Sequence, residues 1–245
     1  MASVHQSILG DASISLGSAP ANTVARIYGD LRIRIINLDL KPDTPLSRKE
    51  LSATYAVSQT PIREALQRLE QEGLVRIFPQ SKTVVTRIDQ SELRAAHFLR
   101  VALETEVVRS ITAAEDRSVV DRLRTIVRMQ ETLAGDAGQT EMFNELDRAF
   151  HRTNFEVLSL RATYALMSAR QGHFARCQRL ELPKEGRMEQ ILADHSKIVD
   201  SIASGDPGRA ADAMRNHFNG TIRRVSQLSE EFPEYFDASG APLAQ

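Results

Sequence analysis

The chain has 245 residues, of which 42% are apolar, a single cysteine (Cys177), no tryptophan and a formal net charge of −1. This length suits one large or two small domains, and abundant Leu, Ala, Arg and Glu predict a mainly helical protein. The composition excludes an internal disulfide, a membrane-spanning segment and a uniformly basic nucleic-acid coat, and the lone cysteine suits a reducing cytoplasm.

The charge is unevenly distributed along the chain. Residues 22–88 contain 11 Lys/Arg and 7 Asp/Glu, a net charge of +4, so the remaining residues carry −5. This polarity suits a DNA-binding head on an acidic body. Residues 1–21 lack a basic start followed by an apolar run, so they are not a secretory signal. Their Ser/Ala/Gly content predicts a flexible tail.

A first helix is predicted from Val24 to Leu38, with Asn22 as its cap. Its apolar residues recur at helical spacing and form one face: Val24, Ile27, Leu31, Ile35 and Leu38. A loop at Lys41–Pro45 follows. Ser47 and Glu50 then form an S-x-x-E capping box that opens a short helix ending near Tyr55.

The next helix starts after a turn at residues 56–58. Thr60 can cap it, with Ser58 as the alternative, and Pro61 then takes the first helical position. Gly73 is expected to end it in a left-handed conformation. One face is apolar and packs inward: Ile62, Ala65, Leu66 and Leu69.

The opposite face of this helix carries Gln59, Arg63 and Gln67. Amide and guanidinium groups pair bidentately with adenine and guanine edges in a major groove. Taken alone, the stretch fits an ordinary amphipathic helix with a solvated polar face equally well. The residues that follow favour DNA binding, because Leu74–Phe78 and Thr83–Arg87 have strand-like composition and are joined by a short turn. Helix, helix and hairpin make a winged helix-turn-helix.

At this point the chain resembles the GntR family of bacterial transcription regulators. The matching segments are 47–51 (SRKEL), 57–66 (VSQTPIREAL), 68–70 (RLE) and 72–75 (EGLV). The sequence departs from the family at Gln59 and Lys49, where arginine is usual, and at Ser81, where the wing usually has glycine. The resemblance implies that Arg63 and Gln59 read base edges. Four further residues would mostly hold phosphates: Arg48, Lys49, Thr60 and Lys82.

Near Ile88 the pattern changes to long helical periodicity, which places a boundary between a head (residues 22–88) and a body (residues 89–233). Six body helices are predicted: Gln90–Thr112, Arg117–Gly135, Thr140–Leu158, Arg161–Leu180, Gly186–Ala203 and Pro207–Glu231. Short loops between them predict an antiparallel α-helical bundle. Residues 234–245 are predicted to be a second flexible tail.

Polar residues interrupt three apolar stripes of this body. Asp147 and His151 lie at i and i+4 on the third helix, His195 lies on the fifth and His217 on the last. One such histidine is usually a satisfied core residue, but four polar groups facing one small core are costly without a shared partner. Three imidazoles and a carboxylate suit a divalent transition metal such as Zn, Ni, Fe or Mn, with zinc the first candidate.

The body resembles the FCD effector domain that follows many GntR heads, and six helices favour its VanR-like subgroup. Segments 147–151 (DRAFH), 194–198 (DHSKI) and 214–217 (MRNH) match its metal-ligand segments, and 100–104 (RVALE) matches its R-x-x-L-E segment. After the first ligand segment the family often has Gly-Asn, where this chain has Ser159-Leu160. The resemblance places Arg100 near an effector cavity, and His97, one turn earlier, is a weaker effector candidate. The alternative for Arg100 is an internal salt bridge to Glu104 or another acid.

These features together predict a dimeric, ligand-responsive transcription regulator. By family resemblance its operator is a short inverted repeat and its effector a small carboxylate metabolite. Two functions remain as alternatives. One is a metal-dependent hydrolase or lyase, since such a site can activate water. The other is a pure metal sensor, in which the ion itself is the signal.

Overall fold

The structure, a computed structural model, describes residues 20–114 and 118–237 and is mainly helical. Most of the predicted N-terminal tail (residues 1–19) and Arg117 lie outside the described residues. The elements, in chain order, are α1 (Pro20–Ile36), α2 (Arg48–Tyr55), α3 (Gln59–Gln71), β1 (Val75–Ile77), β2 (Thr83–Val85), α4 (Gln90–Ala113), α5 (Ser118–Glu131), α6 (Thr140–Val157), α7 (Arg161–Ala169), α8 (Gly172–Glu181), α9 (Arg187–Ser204) and α10 (Pro207–Glu231). Single-turn 3₁₀ helices occur at Ala137–Gln139 and Pro233–Tyr235.

The head is a winged helix-turn-helix, as predicted. Strands β1 and β2 pair antiparallel, with Val75 opposite Val85 and Ile77 opposite Thr83. The apolar faces of α1, α2 and α3 close over this hairpin and bury one core. Its fully buried members include Ile27, Leu31, Ile35, Ile62, Leu66, Leu69 and Leu74.

The termini of the head helices follow from local chemistry. The Ser47 hydroxyl accepts a hydrogen bond from the Glu50 amide (3.3 Å), which confirms the cap of α2. Gly73 has a φ of +73° and, with Leu74, closes α3 by donating to the Glu70 and Leu69 carbonyls, respectively. These two bonds form a Schellman motif, which satisfies carbonyls at the helix end.

Three predicted helix starts and ends need correction. Helix α3 begins at Gln59 after Ser58, whose side chain makes no capping bond, so Thr60 lies inside the first turn and is not the cap. Pro61 is therefore the third residue of the helix and not the first. It still lies in the first turn, where backbone amides have no partner within the helix, so the missing amide hydrogen of proline costs nothing. Asn22 is not a cap either, because α1 already begins at Pro20. That helix ends at Ile36, since Leu38 takes a φ of +66°.

The body is an α-helical bundle, in which the long helices α4 and α10 pack together and α5, α6 and α9 complete the main core. Asp206 caps α10 by accepting from the Gly208 and Arg209 amides, with Pro207 at the first position as predicted. Helix α5 ends at Glu131 rather than at Gly135. Within the described ranges, no helix is both long enough and apolar enough to cross a membrane.

The predicted helix Arg161–Leu180 is two helices. Arg170 and Gln171 have ψ values of −1° and 13°, which interrupt the helical ladder between α7 and α8. Gly172 then starts α8 against the head: a Cβ at this position would lie 2.6 Å from Cδ2 of Leu74. The described part of the body therefore has seven α-helices. The predicted number, six, was wrong and no longer supports the VanR-like subgroup.

The start of the predicted C-terminal tail is ordered. The Ile88 amide donates to the Tyr235 carbonyl (2.7 Å) and the Asp237 amide donates to the Ile88 carbonyl (3.0 Å). Phe236 is buried in a small cluster beside Ile88. Residues 234–237 are therefore packed against the head–body boundary because an aromatic side chain is buried there, and 238–245 lie outside the described residues.

Candidate metal centre and nucleic-acid interface

The four residues predicted as metal ligands converge in the centre of the body. Asp147 and His151 project from adjacent turns of α6, His195 comes from α9 and His217 from α10. Their potential ligand atoms all lie within 4.8 Å of one another, and all four side chains are buried. Helical spacing thus placed each residue on its inward face, and bundle packing brought the faces together.

Four buried atoms of this cluster make no hydrogen bond in the structure, although His217 Nδ1 lies 3.7 Å from Oδ2 of Asp194. They are Oδ1 of Asp147, Nε2 of His151, Nε2 of His195 and Nδ1 of His217. The Asp147 oxygen lies 3.8 Å from the His151 nitrogen and 3.5 Å from the His195 nitrogen. Buried polar atoms without partners are costly, and a divalent cation among them would supply the missing interaction. The residues therefore fit a metal ion.

Neighbouring side chains orient the ligands. His151 Nδ1 lies 2.5 Å from Oε2 of Glu104, and His195 Nδ1 lies 2.8 Å from Oε1 of Gln130. Because these oxygens accept, each histidine donates from Nδ1 and turns the lone pair of Nε2 toward the cluster, as metal-binding histidines do. On the Asp147 side, Gln178 donates to the outer oxygen (3.3 Å).

Sequence reasoning missed two of these orienting residues. Gln130 lies seven residues after Leu123 on the buried face of α5, so a polar residue interrupting an apolar stripe was a usable signal. Gln178 gave no comparable signal, because it lies in the segment that was predicted as one continuous helix.

The electrostatics around His195, His217 and Asp147 favour the protonation states that bind metal. Burial lowers the pKa of His195 well below its usual value and lowers that of His217 as well. Burial alone would raise the pKa of Asp147, but the neighbouring His151, His195 and Arg100 outweigh it and the pKa falls. Neutral imidazoles beside an ionised carboxylate are the donor set that a divalent cation needs.

Arg100, predicted to meet an effector, is engaged by its own helix. Its Nε donates to Oε1 of Glu104 (2.7 Å), and its guanidinium lies 4.4 Å from the ring centre of Phe218. The internal salt bridge, the alternative considered from the sequence, is therefore present. Glu104 joins Arg100 to His151, because its two oxygens accept from one each.

Arg100 nevertheless borders a small internal cavity of about 50 Å³. This volume holds only a few water molecules. The residues around it come from the head as well as the body: Arg32, Ile36, Arg100, Glu104, Asp147, Arg148, His151, Tyr164, Met167, Ser168, Gln171, Ala175 and Gln178. His97 does not border this cavity. It is half-buried, and its pKa is lowered mainly by burial and, to a smaller extent, by the positive charge of Arg100.

The predicted DNA contacts lie on the head. Gln59, Thr60 and Arg63 are exposed on α3, so their side chains are free to enter a groove. Lys82 is exposed on the wing and, together with the half-buried Arg48, borders a cleft between the wing and α2. Lys49 is exposed beside Arg48. The cleft has the charge needed for a phosphate, while Arg63 lies on the separate face of α3.

Both halves of the chain match known protein families. Residues 23–85 match the model for bacterial regulatory proteins of the gntR family, and residues 95–220 match the FCD domain. An HTH-type transcriptional regulator in an unstable DNA locus of Streptomyces ambofaciens is 34% identical over 89% of this chain and 92% of its own length. The HTH-type transcriptional repressor RspR of Escherichia coli K12 is 28% identical over 86% of this chain and 92% of its own length.

Solved structures support the same fold. E. coli McbR/YncC superposes with a TM-score of 0.69 at 16% identity, covering 84% of this chain and 98% of its own. A regulator from Rhodococcus sp. RHA1 gives 0.65 at 18% identity, covering 84% and 98%. Sequence and fold agree, and the chain belongs to the GntR family of bacterial transcription regulators, with a C-terminal FCD domain.

Proposed function

We propose that this regulator binds an inverted-repeat operator as a homodimer and senses a small carboxylate at a divalent metal, zinc first, held by the FCD domain. The observation that carries the proposal is the convergence of four buried side chains, Asp147, His151, His195 and His217, whose potential ligand atoms lie within 4.8 Å of one another in a body attached to a DNA-binding fold. The relatives described above are named as transcription regulators rather than as enzymes. Since RspR is named a repressor, repression is the proposed direction of control.

The cavity beside the cluster supports carboxylate sensing. A six-coordinate ion held by four protein ligands would have two positions for the oxygens of an acid. Arg100 borders the same cavity and its guanidinium can hold a carboxylate bidentately. An incoming acid would compete with Glu104, which already accepts from Arg100. Effector binding therefore requires rearrangement of this ion pair, and Arg100→Ala should keep its metal while losing effector affinity.

The metal site is tested by metal content. Protein stripped with chelator and reloaded with Zn²⁺ should hold about one equivalent per chain, and loading should raise the melting temperature. His195→Ala should lose most of the metal, whereas Asp200→Asn, an exposed change on the same helix, should keep it. A ligand present at a thousand times its Kd stabilises the folded protein by about 4 kcal/mol. Full zinc occupancy and an unchanged melting temperature in His195→Ala would contradict the proposed metal site.

The homodimer is supported by exposed apolar side chains on the body. Phe98 on α4 is 77% exposed and Leu166 on α7 is 74% exposed, so both side chains are available to a partner subunit. Two heads are also needed to read a two-fold operator. Sedimentation at micromolar concentration should show a dimer. Phe98→Glu should shift it toward monomer if α4 contributes to the interface, and a monomeric wild type would contradict the proposal.

A pure metal sensor is the second candidate. The observation that favours it is the size of the cavity, because about 50 Å³ does not hold an organic acid without expansion. Zinc titration of binding to DNA selected in vitro, in buffer free of carboxylic acids, separates the two. If zinc alone produces the whole change in DNA affinity, the ion is the signal. If the change in DNA affinity also requires an added carboxylic acid, carboxylate sensing holds.

A further inference from the structure

The break between α7 and α8, which we call the α7–α8 junction (residues 168–171), lies between the cavity and the head. It is the segment in which the single predicted helix divides. On its inner side Ser168 and Gln171 border the cavity. Nε2 of Gln171 is buried there and has no hydrogen-bond partner in the structure. The junction thus carries an unused donor on a residue that borders the cavity.

On its outer side the junction is bonded to the end of the recognition helix α3. Nη1 of Arg170 donates to the Gln71 carbonyl (3.2 Å), and the Ser168 carbonyl accepts from Nη2 of Arg32 on α1 (3.2 Å). The same guanidinium donates through Nε to Glu72, the C-cap residue of α3 (2.7 Å). The junction therefore holds the last turn of α3 directly and through α1.

The two ends of α8 extend this connection. At its first residue, Gly172 approaches Leu74 so closely that a Cβ would stand 2.6 Å from that side chain. Two turns later, Gln178 donates to the metal-ligand candidate Asp147. Helices transmit displacement along their axis better than loops, so movement at the cavity and movement at the end of α3 are linked through one short rigid element.

The walls of the cavity differ in how readily they can move. One wall includes Glu104, Asp147 and His151, which are buried. Glu104 is bonded to His151 and Arg100, and Oδ1 of Asp147 lies 3.8 Å from Nε2 of His151. The other includes the junction, Ala175 and Gln178 of α8, and Arg32 and Ile36 of α1. Ligand pockets usually exceed about 300 Å³, and a close-packed core yields little. Expansion from about 50 Å³ is therefore expected to displace the junction together with α8, or α1.

We propose that the α7–α8 junction transmits filling of the cavity to the recognition helix, with Gln171 contacting the ligand and Arg170 and Arg32 moving the end of α3. This inference rests on the proposed function, because it takes the cavity as the place where the effector enters. The signal then passes within one chain, from the sensor to its own head.

A cavity-filling substitution tests the proposal without effector or metal. Ala175 on α8 borders the cavity, so Ala175→Phe should act as a permanent occupant. Ala165→Phe is the matched control, since Ala165 is exposed on α7 and does not border the cavity. Both are made in the full chain, treated with chelator, and compared by amide hydrogen exchange. Because no ion is present, the result does not depend on whether the metal site exists.

The amides to follow are Gly73 and Leu74, which close the last turn of α3. Ala175→Phe should speed their exchange at least tenfold, and Ala165→Phe should leave it unchanged. A folded Ala175→Phe protein with wild-type exchange at these amides, or with faster exchange in α8 alone, overturns the proposal. Ala175→Met, a smaller and more flexible filler, replaces it if the phenylalanine variant does not fold, and the same two outcomes decide.

Discussion

The head and the body present their functional groups in opposite ways. In the head, Gln59, Thr60 and Arg63 are exposed and hydrated until DNA arrives. In the body, Glu104, Asp147 and His195 are almost fully buried and depend on one another or on a cation. Charged groups in water contribute little to folding, whereas breaking a buried charged pair is expensive. Substitution of a functional residue should therefore leave the free energy of unfolding unchanged in the head but lower it in the body.

The sharpest test of this difference is Glu104→Gln. The change preserves shape but leaves Arg100, which is 5% exposed, without its counter-charge. The free energy of unfolding should fall by about 3–5 kcal/mol in urea titrations. Glu106→Gln is the matched control. Glu106 lies two residues after Glu104 and pairs with Arg109 in solvent, so its loss should have little effect on stability. Equal losses in the two variants would abolish the distinction.

Arg63→Ala should show the opposite behaviour. Loss of one bidentate base contact should weaken specific DNA binding by about 1–3 kcal/mol and relax base preference at one position. The free energy of unfolding should not change measurably, since Arg63 is exposed. Competition titrations against DNA selected in vitro give the affinity, with Arg34→Ala on α1 as the control. Unchanged selectivity would mean that α3 does not enter the groove through this residue.

His173 tests the boundary between the two regions. Burial, reinforced by repulsion from Arg176 and only partly offset by Asp89, lowers its pKa to about 3. Its Nδ1 accepts from the Asp89 amide and lies 3.0 Å from Nη2 of Arg176. The unfolded chain, with an ordinary pKa near 6.5, therefore binds the proton first as pH falls. Stability from neutral His173 is present above that pH and is lost below it.

The expected size of this effect is about 1.4 kcal/mol between pH 7.5 and 5.5. His173→Asn retains an acceptor but does not titrate, so its unfolding free energy should fall by that much less over the same range. Urea titrations of both proteins at the two pH values provide the comparison. Parallel pH dependence would show that His173 is hydrated and that the boundary behaves like the head.

Lys82→Ala should give the smallest effect. Lys82 is an exposed wing residue beside the cleft that Arg48 shares. Removing one phosphate contact should lower affinity for all sequences alike and reduce the slope of log affinity against log salt by about 0.9. Affinities measured across a salt series for selected and unrelated DNA supply the test. A change in base preference would instead place Lys82 in a groove.

The sequence predicted features that depend on local chemistry. The contacts of the head join residues that are close in sequence, so capping, periodicity and a left-handed glycine predicted its helices, although the caps at Asn22 and Thr60 were misplaced. In the body, i and i+4 spacing predicted the inward faces of Asp147 and His151. Pairings between distant elements could not be predicted: Glu104 meets His151 across 47 positions, and His195 meets Gln130 across 65.

The missed break at Arg170 has a related cause. Residues 161–180 have helical composition apart from Gly172, whose low helix propensity is a weak local signal for the break. The chain bends there because the head lies in the way, through the contact of Gly172 with Leu74 and the bond of Arg170 to Gln71. Tertiary contacts thus override local propensity at the position where the two domains meet.

The contacts of α8 with the head also bear on recombination between related regulators. Arg176, fully buried, donates to the Thr86 carbonyl (2.6 Å), a backbone group that any transplanted head would offer. The approach of Gly172 to Leu74 is different, because it depends on the absence of a side chain at position 172 and on the size of the leucine side chain at position 74. A chimera joined at Ile88 would keep the first contact automatically. Its switching would depend on a leucine-sized residue at position 74, so designers of hybrid biosensors should exchange that position together with α8.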